Sequence, residues 1–132
     1  MIVAPLTPKI GAVISGLDLA SADAAAQAQL YDALVQHEVI VVPEQLSLTP
    51  KGHVRLAQDF GTIEPPHPLY PAHPSAPGVT VLAHGGDRPP PDTNEWHTDC
   101  TFRQSPPFAS ILHCQVSPKT GGDTLWLSLI HI

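Results

Sequence analysis

The sequence predicts an α+β chain built around an antiparallel sheet or barrel. Three observations carry this. Two helical patterns come early, short apolar alternations and long loops follow, and no Gly-rich phosphate loop accompanies them. Gly85-Gly86 and Gly121-Gly122 lack the spacing of such a loop, which argues against a βαβ nucleotide fold.

Ala12–Leu19 alternates loosely and holds Gly16, which predicts a strand with a bend. Ser21 is placed to cap a helix over Asp23–His37, with Leu30, Leu34 and Val35 as its apolar face. Val39-Ile40-Val41-Val42 is a short β-branched run, the mark of a buried strand, and Pro43 ends it. Thr49-Pro50 opens a second helix, with the hydroxyl as cap and proline at the first helical position. Val54, Leu56, Ala57 and Phe60 form its inner face, and Gly61 stops it.

From Thr62 to Asn94 the chain is proline-rich and irregular, apart from an expected strand at Val79–Ala83. Nine of the sixteen prolines lie between Pro65 and Pro91. His67, Tyr70, His73 and His84 inside this long loop point to an active-site cover rather than an idle surface loop. Phe108–Val116 alternates strictly and reads as a strand, with Cys114 as core filling. Asp123–Leu127 reads as another.

The 132 residues suffice for one domain. A net charge of −6 and the lack of any basic run argue against a nucleic-acid surface. The N-terminus carries no secretory pattern, and no run is long enough to span a bilayer. Cys100 and Cys114 do not make a disulfide framework. A soluble, cytoplasmic protein is expected.

The chemistry concentrates in Asn94-Glu95-Trp96-His97-Thr98-Asp99-Cys100-Thr101-Phe102. In an extended chain, residues two apart share a face, so His97 and Asp99 converge, with Cα atoms roughly 7 Å apart. That is two-thirds of the two-histidine, one-carboxylate triad of non-haem Fe(II) oxygenases. The bland alternative is a histidine bonded to a carboxylate on a sheet surface. Composition alone would place roughly 0.7 such pairs in this chain, so the pair gains weight only from its surroundings. A zinc site from His97, Cys100, His113 and Cys114 fits poorly, because adjacent His113 and Cys114 would point to opposite faces of a strand. Neither cysteine looks activated as a nucleophile, since Cys100 adjoins Asp99, whose charge opposes a thiolate.

Trp96-His97-Thr98-Asp99, Thr101-Phe102, Pro106-Pro107 and Gly121-Gly122-Asp123-Thr124-Leu125-Trp126 together resemble the taurine dioxygenase family of Fe(II)/2-oxoglutarate-dependent oxygenases. Ile14–Leu19 and Phe60-Gly61 also fit, so the resemblance runs from about Gly11 to Trp126. It implies a double-stranded β-helix (jelly-roll) core with flanking helices, of which the C-terminal half is missing here. It implies His97 and Asp99 as the first two iron ligands and Thr124 as a hydrogen-bond partner of the 2-oxoglutarate carboxylate. It implies His67 and Tyr70 as substrate-pocket residues, the histidine meeting a sulfonate. Taurine-binding members carry an asparagine four residues before the first ligand; Thr93 stands there, with Asn94 beside it. That position weighs against taurine itself, while a small sulfonate or related organic anion still fits.

The implied reaction uses Fe(II), 2-oxoglutarate and O₂. The co-substrate becomes succinate and CO₂, the substrate carbon next to sulfur is hydroxylated, and the product splits to sulfite and an aldehyde. The same chemistry could serve an alkyl sulfate, an aryloxyacetate or another small carboxylate. From a different class, a non-catalytic jelly-roll binding module remains an alternative. No nucleic-acid or membrane partner is expected, and the full-length parent is a possible homo-oligomer.

The family also uses a second metal histidine, well over a hundred residues past the first, and an arginine for the far carboxylate of 2-oxoglutarate. No residue here matches either. Leu127-Ser128-Leu129-Ile130-His131-Ile132 matches an in-frame translation of a transposon-end adapter used in sequencing libraries. Residues 1–126 are therefore expected to be the N-terminal portion of a single dioxygenase domain, and 127–132 a non-native tail. With two ligands instead of three, the chain as written is expected to be inactive and poorly folded.

Overall fold

The computed structural model describes residues 1–83 and 95–132. Its elements are β1 (Ile2–Pro5), β2 (Ala12–Ser15), α1 (Ala24–His37), β3 (Ile40–Val41), α2 (Pro50–Phe60), β4 (Ala72–His73) and β5 (Ala76–Thr80). Two strand groups result, one three-stranded in the order β1-β2-β3 and one a β4-β5 pair. The described residues are thus mixed α and β. No helix among them is long and apolar enough to cross a membrane.

The larger sheet is mixed, where the sequence suggested an antiparallel one. β1 runs antiparallel to β2, with Val3 opposite Ile14 and Pro5 opposite Ala12. β3 runs parallel to β2, with Ala12 opposite Ile40. Parallel neighbours need a long crossover, and α1 supplies it. β1 went unread in the sequence because its four residues are all exposed and give no one-sided pattern. The Thr7 hydroxyl shapes the β1–β2 connection, accepting from Ile10 N at 2.9 Å. Gly16 ends β2 at φ +71, a left-handed backbone that the bend requires and that glycine adopts without a Cβ clash.

Asp23, not Ser21, caps α1. Its carboxylate accepts from Ala26 N at 2.8 Å, while the Ser21 hydroxyl turns back to Asp18. Helix α2 starts and stops where the sequence placed it. Thr49 Oγ1 accepts from Gly52 N at 3.1 Å, Pro50 opens the helix, and Gly61 N donates to Ala57 O at its end.

The core joins β2 to α1. Ile14, Leu30 and Ala33 are buried together, with Leu17, Leu19, Ile40, Val42 and Phe60 against them. The inner face of α1 is therefore Leu30 and Ala33, not the expected Leu30, Leu34 and Val35; Val35 is 59% exposed. The β3 run was read as buried, yet Val41 is 46% exposed, because β3 is an edge of the sheet. Gln45 is buried with its amide fully used. It donates to Leu17 O and Pro43 O and accepts from Leu19 N, tying the chain after β2 to the chain after β3.

The proline-rich stretch holds a small hairpin. The expected strand at Val79–Ala83 falls instead at Ala76–Thr80, paired with Ala72–His73. Gly78 lies against Ile63 and Val54, so the hairpin rests on α2. The two later strands are corrected: neither Phe108–Val116 nor Asp123–Leu127 is a strand. Alternation marks a face, but a strand also needs a hydrogen-bonded neighbour, and no described strand pairs with either run. The face turned inward is Ile111 and His113, while Phe108, Leu112, Cys114 and Val116 are exposed. Cys114 is therefore not core filling.

Two contacts hold the 108–116 run to the helices. Phe108 stacks on Tyr31 of α1, with ring centroids 5.5 Å apart and planes 17° apart. His53 of α2 donates through Nε2 to Ile111 O at 3.2 Å. Burial lowers the pKa of His53, the bond to the Ile111 carbonyl opposes that shift, and the neighbouring His113 adds to it.

Two outcomes follow for stability. Leu30→Ala should cost about 2–5 kcal/mol, and Val35→Ala should stay within about 0.5 kcal/mol, read by urea unfolding in the far-UV. The reverse order would restore the face expected from sequence. The second concerns pH. An unfolded histidine protonates near about 6.5, and folded His53 only below that. Its contribution is whole above the unfolded value and is lost as pH falls toward the folded one, since the unfolded chain then binds more protons. The urea midpoint should drop between about pH 6.5 and pH 5, and His53→Gln should flatten that drop.

Candidate metal and co-substrate site

The segment around His97 is not a strand, contrary to its extended reading. It turns at Asp99–Phe102, with Cys100 at φ +54 and Arg103 N donating to Cys100 O at 3.1 Å. The two side chains nonetheless meet. His97 Nε2 lies 3.5 Å from Asp99 Oδ1, and both side chains are more than half exposed.

The tautomer of His97 follows from its neighbour. Nδ1 lies 2.9 Å from Glu95 O, and a carbonyl can only accept, so Nδ1 carries the proton. In the neutral ring, Nε2 then presents a lone pair toward a carboxylate oxygen. Two such atoms face each other stably only with a proton or a cation between them. Two donors at right angles on one ion, with bonds of about 2.1 Å, sit about 3 Å apart, so the observed 3.5 Å need close by only about 0.5 Å to hold one. An imidazole nitrogen beside a carboxylate oxygen suits Fe(II), and a ring held by its far nitrogen on a carbonyl is the usual support of a metal-bound histidine. The residues present therefore fit two positions of such a site. Among the described residues, no group of three or more His, Cys, Asp or Glu is placed to hold a metal. The zinc set of His97, Cys100, His113 and Cys114 is accordingly not assembled.

Asp99 has a second partner. Ser110 Oγ donates to Asp99 Oδ2 at 3.5 Å. Sequence reading missed Ser110, because it sits inside an apolar alternation; the polar residue in that pattern was the signal available. Thr98 is turned away, its hydroxyl 2.9 Å from that of Thr101. Arg103 pairs with Glu64, joining the site segment to the start of the proline-rich stretch. This pair is well exposed and contributes direction more than stability.

His67 and Tyr70 are brought together, with ring centroids 4.8 Å apart. His67 Nδ1 accepts from the backbone N–H of Leu69 at 3.1 Å and of Tyr70 at 3.2 Å. A neutral His67 thus keeps its proton on Nε2, free to donate outward to an anion. Among the described residues, no hydrogen bond or ion pair joins His67 or Tyr70 to His97 or Asp99. Thr124 lies exposed after Gly121 and Gly122. A Cβ on Gly122 would fall 2.8 Å from Pro118 Cγ, so the turn before Thr124 admits no side chain there. Thr93 and His84 lie outside the described residues.

The chain is similar to several known proteins. A family model described as "Taurine catabolism dioxygenase TauD, TfdA family" matches residues 2–132. An alkylsulfatase of Acinetobacter baylyi is 37% identical over 122 residues, covering 92% of this chain and 37% of that protein. An alpha-ketoglutarate-dependent sulfate ester dioxygenase of Pseudomonas putida is 38% identical over 126 residues, covering 92% of this chain and 40% of that protein. A solved taurine dioxygenase from Burkholderia xenovorans superposes with a TM-score of 0.55 at 32% identity, over 63% of this chain and 31% of that one. The chain thus spans about two-fifths of the length of the curated relatives it matches. Its match along nearly the whole length means that the chain belongs to the taurine catabolism dioxygenase TauD, TfdA family.

Proposed function

We propose that the whole protein is a cytoplasmic Fe(II)- and 2-oxoglutarate-dependent dioxygenase acting on a small organosulfur anion. An alkyl sulfate ester is the first candidate, and a sulfonate such as taurine the second. The observation that carries this reading is the approach of His97 Nε2 to Asp99 Oδ1, 3.5 Å apart, on a ring whose other nitrogen is already held.

When bound, the iron supplies the activation of O₂ beside the C–H bond to be broken. The chain's own residues do the rest. His97 and Asp99 hold the ion through one nitrogen and one oxygen. Thr124 donates its hydroxyl to the co-substrate carboxylate. His67 offers Nε2–H to the sulfur oxyanion, Tyr70 stands beside it, and Thr93 is the further residue assigned to substrate binding. In this reading the described part of the proline-rich stretch, 62–83, serves as a cover that keeps water out.

The ordering of substrates rests on two supports. The alkylsulfatase and the sulfate ester dioxygenase share 37% and 38% identity with this chain, against 32% for the taurine dioxygenase structure. Thr93 also stands where taurine-binding members carry asparagine.

The test is succinate formation by the whole protein with Fe(II), across alkyl sulfates, sulfonates including taurine, and aryloxyacetates. An alkyl sulfate should give the highest kcat/KM, and His97→Ala and Asp99→Ala should each reduce turnover to background. Full turnover by Asp99→Ala would sink the proposal. The 132-residue chain itself should form no succinate.

A further inference from the structure

The run Phe108–Ile111 is pinned at both ends. Phe108 lies on Tyr31 at 5.5 Å, and Ile111 O accepts from His53 Nε2 at 3.2 Å. Between these anchors, Ser110 Oγ reaches Asp99 Oδ2 at 3.5 Å. We propose that Ser110 is a positioning residue for Asp99, occupying Oδ2 so that Oδ1 alone faces His97. The inference rests on the reading of His97 and Asp99 as metal ligands.

The physical case starts from the carboxylate. Its terminal torsion is broad, so an unsupported aspartate presents either oxygen, or both, to an ion. An ion that must also take a two-atom chelator and O₂ has no position to spare for a second aspartate oxygen. A hydroxyl donating to Oδ2 gives that oxygen a partner and leaves Oδ1 for the metal. Ser110 is the hydroxyl placed to do this, since Thr98 is engaged with Thr101. At 3.5 Å the bond is long, so its worth lies in orientation more than in energy. Orientation requires that the serine itself be fixed. The aromatic contact on α1 and the histidine contact on α2 meet that need from two separate helices.

The test uses the whole protein, Co(II) as the probe, and the visible d–d absorption of bound Co(II) as the readout. Ser110→Thr and Ser110→Val have the same shape and differ in the hydroxyl. Ser110→Thr should bind Co(II) within about twofold of the parent chain, and Ser110→Val about tenfold more weakly, the loss typical of removing a ligand's hydrogen-bond partner. Far-UV spectra compare the fold of the two variants. If they bind alike while His97→Ala and Asp99→Ala lose Co(II), the role of Ser110 is overturned and the ligand assignment stands. If His97→Ala and Asp99→Ala bind Co(II) like the parent chain, the ligand assignment falls, and the role of Ser110 falls with it.

Discussion

Packing of α1 on β2 is the interaction from which the rest of this structure hangs. Leu30 and Ala33 close over Ile14, and the two largest fully buried side chains, Ile14 and Leu30, belong to this one contact. Burying Leu30 fixes the rotation of the helix. Tyr31 is the next residue, about 100° further round, and so is turned to the flank. There it meets Phe60 at 6.4 Å and Phe108 at 5.5 Å, one ring from α2 and one from the segment beyond Asp99. The core thus reaches the site segment through a short aromatic ladder. Such contacts contribute about 0.5–1.5 kcal/mol each beyond area burial, enough to bias a short exposed run.

The site shows how local backbone chemistry sets the state of a side chain. The Glu95 carbonyl assigns the proton of His97 to Nδ1, and the backbone N–H groups of Leu69 and Tyr70 assign that of His67 to Nε2. One neutral imidazole therefore presents a lone pair and the other a donor. These are opposite roles, suited to a cation and to an anion respectively. No charge difference is needed to separate them. The distinction comes from which backbone group each ring meets within three residues of its own position.

Legibility in the sequence followed the range of the interaction. Helix α2 was readable to its ends because Thr49, Pro50 and Gly61 act on their immediate neighbours. Helix α1 was readable in extent, but Ser21 and Asp23 are both plausible caps two residues apart, and only the observed bond to Ala26 N chooses between them. Its inner face shifted from Val35 to Ala33 because the partner strand, not the periodicity, selects the stripe. The runs Phe108–Val116 and Asp123–Leu127 carried a strand pattern without a strand, since pairing is a property of two segments. His97 and Asp99 stood out in the sequence only with the motifs around them, and the extended geometry that their spacing suggested is replaced by a turn. Ser110 was not, because its contact spans eleven residues and depends on anchors at Tyr31 and His53.

The position of β3 carries one more consequence. It adds only Ile40 and Val41 to the parallel side of β2, and along its outer margin the described residues offer no further strand. Backbone groups on such a margin are a template for another extended chain. Val41, β-branched and 46% exposed, is well suited to extending the sheet. At low concentration water would satisfy that margin, and at high concentration another extended chain would compete with water for it.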